Sequence, residues 1–267
     1  MAYCVSPITI QNPHKNLYNY IQVPCGKCCN CKKNRANQWL VKMKEEIKQS
    51  KKQAYFVTLT YNNKSVPVET DPETGEIKLS TSKTDCQTFI KRLRSNLPYK
   101  IKYYMVSEFG GKTGRPHYHA IIFGIDINDV DKINQSWNSG RYIEDRGYVY
   151  IGTATDESIR YVLKYIRKQT NDPGVFQLYS KDIGNEYVNR MKKYHITNPV
   201  ENYYYTEKGG IKYPLPRIYK KKLFSKITNQ RIGKEISLKN KVIDFEKIKK
   251  VIIIENEKQK QIKKDKL

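Results

Sequence analysis

Apolar and polar positions follow two different periods along this chain. Over residues 32–50, Ala36, Trp39, Leu40, Met43 and Ile47 fall at i, i+3, i+4, i+7 and i+11, the spacing of one helical face. Lys32, Lys33, Arg35, Lys42 and Lys44 fill the other faces. At 54–61 the pattern becomes a β-branched and aromatic run, Ala-Tyr-Phe-Val-Thr-Leu-Thr-Tyr, closed by Asn62-Asn63, which predicts a strand. Asp71-Pro72-Glu73-Thr74-Gly75 predicts a turn between short strands. Thr84 to Gln87 has capping-box spacing and predicts a helix with Cys86, Phe89, Ile90, Leu93 and Leu97 on one face. Cys86 is then a small core residue.

Residues 101–108 and 117–124 read as strands joined by the glycine-rich stretch 109–116, which predicts a hairpin. A helix is expected over 128–137, a strand over 148–152, and a helix from Thr155 or Asp156 to about Lys168. Lys208-Gly209-Gly210, between Tyr-rich runs over 203–213, predicts another hairpin. The fold class expected from this order is α+β, an antiparallel sheet with packed helices.

Charge narrows the function. The 267 residues hold 50 Lys and Arg against 26 Asp and Glu, a formal net charge of +24. Such an excess asks for a polyanionic partner, nucleic acid before an anionic membrane surface. No apolar run approaches the roughly 20 residues that span a bilayer, and the start lacks the pattern of a secretory signal. Residues 219–267 alone carry a net +10, with apolar residues on no clean period, and read as a frayed helix or a basic tail. The 22 Tyr against 7 Phe and 2 Trp add stacking faces suited to single-stranded nucleic acid.

Four of six cysteines crowd into Cys25-Gly26-Lys27-Cys28-Cys29-Asn30-Cys31. Cys25, Cys28 and Cys31 make two overlapping C-x2-C steps whose thiolates can converge on one zinc ion, with Cys4 as a fourth ligand. Free thiols and an iron–sulfur ligand run are the alternatives, although the fourth Cys and the Pro of the latter do not follow.

His117-Tyr118-His119 places two imidazoles on one strand face, where they can share a metal ion. Glu108, at the end of the partner strand, supplies a carboxylate suited to a hard divalent ion. Ordinary hydrogen-bonding strand histidines are the alternative. On the helix after Asp156, Ile159, Val162, Leu163 and Ile166 form an apolar stripe. Tyr161 and Tyr165 lie one turn apart on the opposite side, bordered by Lys164 and Lys168. Such phenols are either a solvated face or nucleophiles whose ionisation nearby cations favour. A metal that polarises a phosphodiester and a tyrosine that attacks it together make strand-breaking chemistry that conserves bond energy.

These residues resemble the HUH endonuclease superfamily, and more closely the replication initiators of the gokushovirus branch of the microviruses. The resemblance is carried by Pro24-Cys25-Gly26-Lys27-Cys28 with Cys31, Arg35 and Trp39, by 56–61, by Phe89-Ile90-Lys91-Arg92-Leu93-Arg94 and by Glu108-Phe109-Gly110. Gly114 to Ala120, Tyr161-Val162 with Tyr165 and Lys168, and the stretch Gly210 to Tyr219 complete it. It spans roughly residues 3–224 in order, with an extra Cys29, and Phe109 where Tyr is expected.

The resemblance implies a ferredoxin-like or RRM-like core with the histidines on a central strand. The domains are then a Cys-rich element with a basic helix (1–50), an endonuclease domain (51–218) and a basic tail (219–267). It implies Mg²⁺ or Mn²⁺ at His117, His119 and Glu108, structural Zn²⁺ at the cysteines, and catalysis by Tyr161 and Tyr165 with Lys164. Arg35, Arg115 and Lys168 are assigned to DNA. The expected reaction is nicking of single-stranded origin DNA through a 5′-phosphotyrosine link, in the host bacterial cytoplasm, with host polymerase and helicase as partners. A relaxase or transposase of the same chemistry, and a non-enzymatic zinc-stabilised nucleic-acid-binding protein, are the rival readings.

Overall fold

A computed structural model describes residues 4–12, 19–111, 113–139, 145–168 and 174–239. The side chains of 167, 168 and 237–239 and the residues 240–267 of the basic segment lie outside the described set. In chain order the elements are β1 (Ile8–Gln11), β2 (Tyr20–Val23), α1 (Cys29–Gln49), β3 (Gln53–Thr60), β4 (Val68–Thr70) and β5 (Ile77–Leu79). They continue with α2 (Lys83–Ser95), β6 (Lys102–Phe109), β7 (Pro116–Ile125), α3 (Asp131–Asn138), β8 (Val149–Thr153) and α4 (Asp156–Lys168). The last are β9 (Gln177–Tyr179), α5 (Glu186–Thr197), β10 (Tyr204–Thr206), β11 (Lys212–Pro214), α6 (Arg217–Leu223) and α7 (Lys226–Lys239). A 3₁₀ turn at Ile127–Asp129 precedes α3.

Five strands form one antiparallel sheet in the order β8-β3-β7-β6-β9. The α+β class with an antiparallel sheet and packed helices is therefore as the residue pattern predicts. Alternation decides the two faces of this sheet. Val57 and Leu59 of β3, Met105 of β6, and Tyr118, Ala120 and Ile122 of β7 point into a core with Cys86, Phe89, Ile90 and Leu93 of α2 and Trp137 of α3. Deep burial of these side chains, each contributing about 1.5–3 kcal/mol, is what holds α2 and α3 to the sheet.

The opposite face carries Thr58 and Thr60, His117 and His119, and Glu108. The helix α4 packs on it over β6 and β7. Trp39 of α1 also packs there, against Tyr104 and Tyr179 at ring-centroid distances of 4.7 and 4.6 Å.

Some boundaries shift for identifiable reasons. The cap of α2 is Ser82, whose side chain accepts from Asp85 N–H at 3.1 Å, so the helix starts before the predicted Thr84. At α4 the expected cap is Thr155, in a reciprocal pair: Ser158 N–H donates to Thr155 Oγ1 and Thr155 N–H to Ser158 Oγ. The helix α1 begins at Cys29, three residues before the apolar period starts, because Cys31 is already buried. Two compact units divide at 31 and 191: residues 32–191, and 1–31 with 192–267. In the second, the first 21 residues assigned to a basic tail are the end of α6 and all of α7, and they bury Tyr219, Leu223, Phe224 and Ile232. Among the described residues no helix is long and apolar enough to cross a membrane.

Candidate active site and metal centres

The β6–β7 register sets Glu108 directly opposite His117. His119, two residues on, has Nε2 at 3.3 Å from Glu108 Oε2. The neighbouring strand fixes both rings. Thr58 Oγ1 lies 3.0 Å from His119 Nδ1 and Thr60 Oγ1 lies 3.2 Å from His117 Nδ1, since β3 pairs Thr58 with His119 and Thr60 with His117. An Nδ1–H that donates to a threonine hydroxyl leaves Nε2 as the lone-pair face, the tautomer a metal ligand needs. Burial, then the neighbouring His119, holds the His117 pKa below its ordinary value, which also favours the neutral ring.

Gly110 makes room for this arrangement. It closes the turn with a hydrogen bond from its N–H to Arg115 O, and a Cβ there would lie 3.0 Å from His117 Nε2. The donor set of two imidazoles and a carboxylate fits a divalent ion. The three do not converge as tightly as the cysteines described below, which are the one such group among the described residues within 4.8 Å. His119 and Glu108 are adjacent, so His117 is the outlying member.

Tyr161 and Tyr165 both reach His119. Tyr161 meets the imidazole edge-on at 5.2 Å, and Tyr165 stacks on it at 5.1 Å and 10°. Phe56, on the same sheet face, takes the edge of Tyr161 at 5.9 Å. The two tyrosines differ in exposure, 42% for Tyr161 and 6% for Tyr165. This corrects the expectation that both phenols stand clear of the apolar stripe. At about 100° per residue Tyr165 lies roughly 40° nearer that stripe than Tyr161 does, on its flank. The expected lowering of the phenol pKa by cations also fails at Tyr165. Burial, then hydrogen bonding to Tyr161 and Glu108, pushes that phenol far above its ordinary value. Lys164 is on the exposed side of the helix.

The cysteines Cys4, Cys25, Cys28 and Cys31 bring their sulfurs within 4.8 Å of one another. Cys28 and Cys4 Sγ are 3.9 Å apart, close to the separation of thiolates around a tetrahedral zinc. Backbone N–H groups point at the sulfurs: Cys25 N to Cys4 Sγ at 3.2 Å, Cys28 N to Cys25 Sγ at 3.3 Å, Cys31 N to Cys28 Sγ at 3.5 Å. Gly26, at φ 75°, permits the tight turn. The N–H groups of Cys28 and Lys27 lower the Cys25 thiol to about 6, whereas burial pushes Cys31 up to about 12. The quartet could hold a metal such as zinc. Cys29 is exposed and its sulfur turns to Asn30, away from the cluster.

Of the residues assigned to DNA, Arg35 is exposed on α1. Arg115 donates to Asn63 Oδ1 at 2.7 Å and to Tyr61 O at 2.8 Å, beside the histidine strand. The Lys168 side chain lies outside the described residues. Thr58 and Thr60 are not singled out by sequence reasoning. A signal exists, since they repeat at i, i+2 as the histidines do, but it has no meaning until their partner strand is known.

Residues 54–170 match the family of the replication-associated protein ORF2. The chain is 29% identical over 228 residues to the replication-associated protein ORF2 of Spiroplasma virus 4, covering 77% of this chain and 69% of that protein. It is 27% identical over 221 residues to replication-associated protein VP4 of Bdellovibrio phage phiMH2K, covering 73% and 65%. It is 29% identical over 164 residues to replication-associated protein ORF4 of Chlamydia phage 1, covering 55% and 38%.

Proposed function

We propose, since residues 54–170 belong to the family of the replication-associated protein ORF2, that this chain initiates phage DNA replication by nicking and transferring single-stranded origin DNA. A replication role follows from the family. The chemistry is our reading of the site, carried by one observation: two tyrosine rings rest on His119, whose Nε2 lies 3.3 Å from Glu108.

His119, Glu108 and His117 are the residues that would hold Mg²⁺ or Mn²⁺, which would polarise an oxygen of the scissile phosphate. Thr58 and Thr60 keep the imidazoles oriented for it. Tyr161, the accessible phenol, attacks phosphorus and gives its proton to solvent. The bond from phosphorus to the 3′ oxygen breaks, that oxygen takes a proton, and a 5′-phosphotyrosine remains. The free 3′-OH then primes a host polymerase, with a host helicase opening the duplex. Tyr165, held protonated, donates a hydrogen bond toward Glu108 and Tyr161 in the first step. It serves as second nucleophile once the strand end has moved.

The test is incubation of the full chain with labelled single-stranded oligonucleotides tiling the phage origin, in Mn²⁺. A protease-sensitive, denaturant-resistant adduct is expected. His117→Ala/His119→Ala should form none yet keep most single-strand affinity, which comes from Lys and Arg. An adduct from that double variant would contradict the reading.

A further inference from the structure

A cleft of about 840 Å³ opens beside the histidine strand. Its walls include Thr60, Asn63, Lys64, Arg115, Arg146 and Tyr148. It adjoins the site through Thr60, whose hydroxyl lies 3.2 Å from His117 Nδ1. Ligand clefts commonly run about 300–1,000 Å³.

The walls are built rather than incidental. Asn62 staples two loops: its Oδ1 accepts from the N–H groups of Lys64 and Ser65, and its Nδ2 donates to Asp145 O at 2.8 Å. Gly147 passes so close to β3 that a Cβ would lie 2.1 Å from Thr60 O. This approach lets Tyr148 and Thr60 exchange both backbone hydrogen bonds, each 2.9 Å. Directly opposed residues share a sheet face, so the Tyr148 ring stands on the face that carries the histidines. It is 75% exposed. Tyr150, opposite Thr58, is exposed on the same face. Exposed rings in a row beside a phosphate-handling site are stacking platforms for bases.

The polar groups present donors. Arg115 spends two of its five N–H donors on Asn63 Oδ1 and Tyr61 O, which fixes the guanidinium and leaves the others directed outward. Asn63 commits its oxygen to Arg115, so its NH₂ is the end it offers. Arg146 is 5% exposed, ion-paired to Asp85 and set over the Trp137 ring, and its Nε has no partner among the described residues. Asp85 and Asp145 also line the cleft, which disfavours a phosphate there and favours an uncharged group rich in acceptors.

We propose that the cleft reads one base of the single strand, next to the phosphate handled at His117 and His119. The base has an acceptor edge, such as guanine O6 and N7. It stacks on Tyr148 and is bonded by Asn63 and Arg115. This rests on the function proposed above and supplies it with sequence specificity.

The test is selection of a single-stranded oligonucleotide pool, randomised over a central stretch, by wild type, Tyr148→Ala and Asn63→Ala in chelator. Binding is read without cleavage, so failure here is separate from failure of the nicking reaction. Wild type should show one position with a strong purine preference, and both variants should lose it while keeping the flanking profile. An abasic site at that position should weaken wild type roughly tenfold or more and weaken Tyr148→Ala little further. Wild-type selection with no preferred position would overturn the proposal, as would variants that keep the wild-type profile. So would the sensitivity following a neutralised phosphate rather than the abasic site. Tyr148 lies outside the core, so its replacement leaves the fold intact.

Discussion

Tyr165 lies flat on His119, their rings 5.1 Å apart and 10° from parallel, while Tyr161 meets the same imidazole edge-on. One helical turn therefore sets two phenols in different relations to one ring. One is sealed against Glu108 and held protonated, and the other is open to solvent.

This asymmetry predicts separable defects. Tyr165→Phe should still form the first covalent adduct, within a few-fold of wild type, but should lose transfer of a second strand. Tyr161→Phe should reduce the first adduct to background. Separate cleavage and strand-transfer substrates measure the two steps.

The threonines of β3 predict a metal-affinity effect. Thr58→Val keeps the shape and removes the hydroxyl that orients His119. The Mn²⁺ concentration for half-maximal adduct formation should rise about 10–100-fold, the usual loss when such a partner is removed. Titration of adduct yield against Mn²⁺ checks this, with Thr60→Val expected to act in the same direction.

Much of this site is legible in the chain. The hairpin that sets Glu108 opposite His117 follows from two alternating runs around glycines, and the Cys25, Cys28, Cys31 spacing foretells a cluster completed by Cys4. What escapes depends on tertiary neighbours. A helical projection places Tyr165 away from the apolar stripe but cannot show that the stripe's flank faces His119. The pairing of Thr58 and Thr60 with the histidines requires strand order. Short, exposed β1 and β2, and α5 with its mixed faces, carry too little period to stand out.

The cysteine quartet predicts a folding effect rather than a chemical one. Protein purified without added metal should contain close to one zinc per chain by elemental analysis. Cys28→Ser should lower the melting temperature by roughly 5–10 °C, the consequence of about 2–3 kcal/mol in a chain of this size. The same variant, at a temperature where it is folded, should form adduct normally.

Gly147→Ala predicts a loss of stability without touching a site ligand. The added methyl would meet Thr60 O, Asn62 N and Tyr61 C, all backbone. The backbone itself must move, so the loss should exceed about 2 kcal/mol. The shift of the urea midpoint at unchanged slope measures it.

The most direct test reads the covalent link itself. Trypsin cuts after Arg160, Lys164 and Arg167, which separates Tyr161 on one peptide, 161–164, from Tyr165 on the next, 165–167. Wild-type adduct trapped on a single-stranded origin oligonucleotide, digested with nuclease and trypsin, should carry the residual nucleotide on the 161–164 peptide. Its appearance first on 165–167, or on a tyrosine outside α4, would contradict the account.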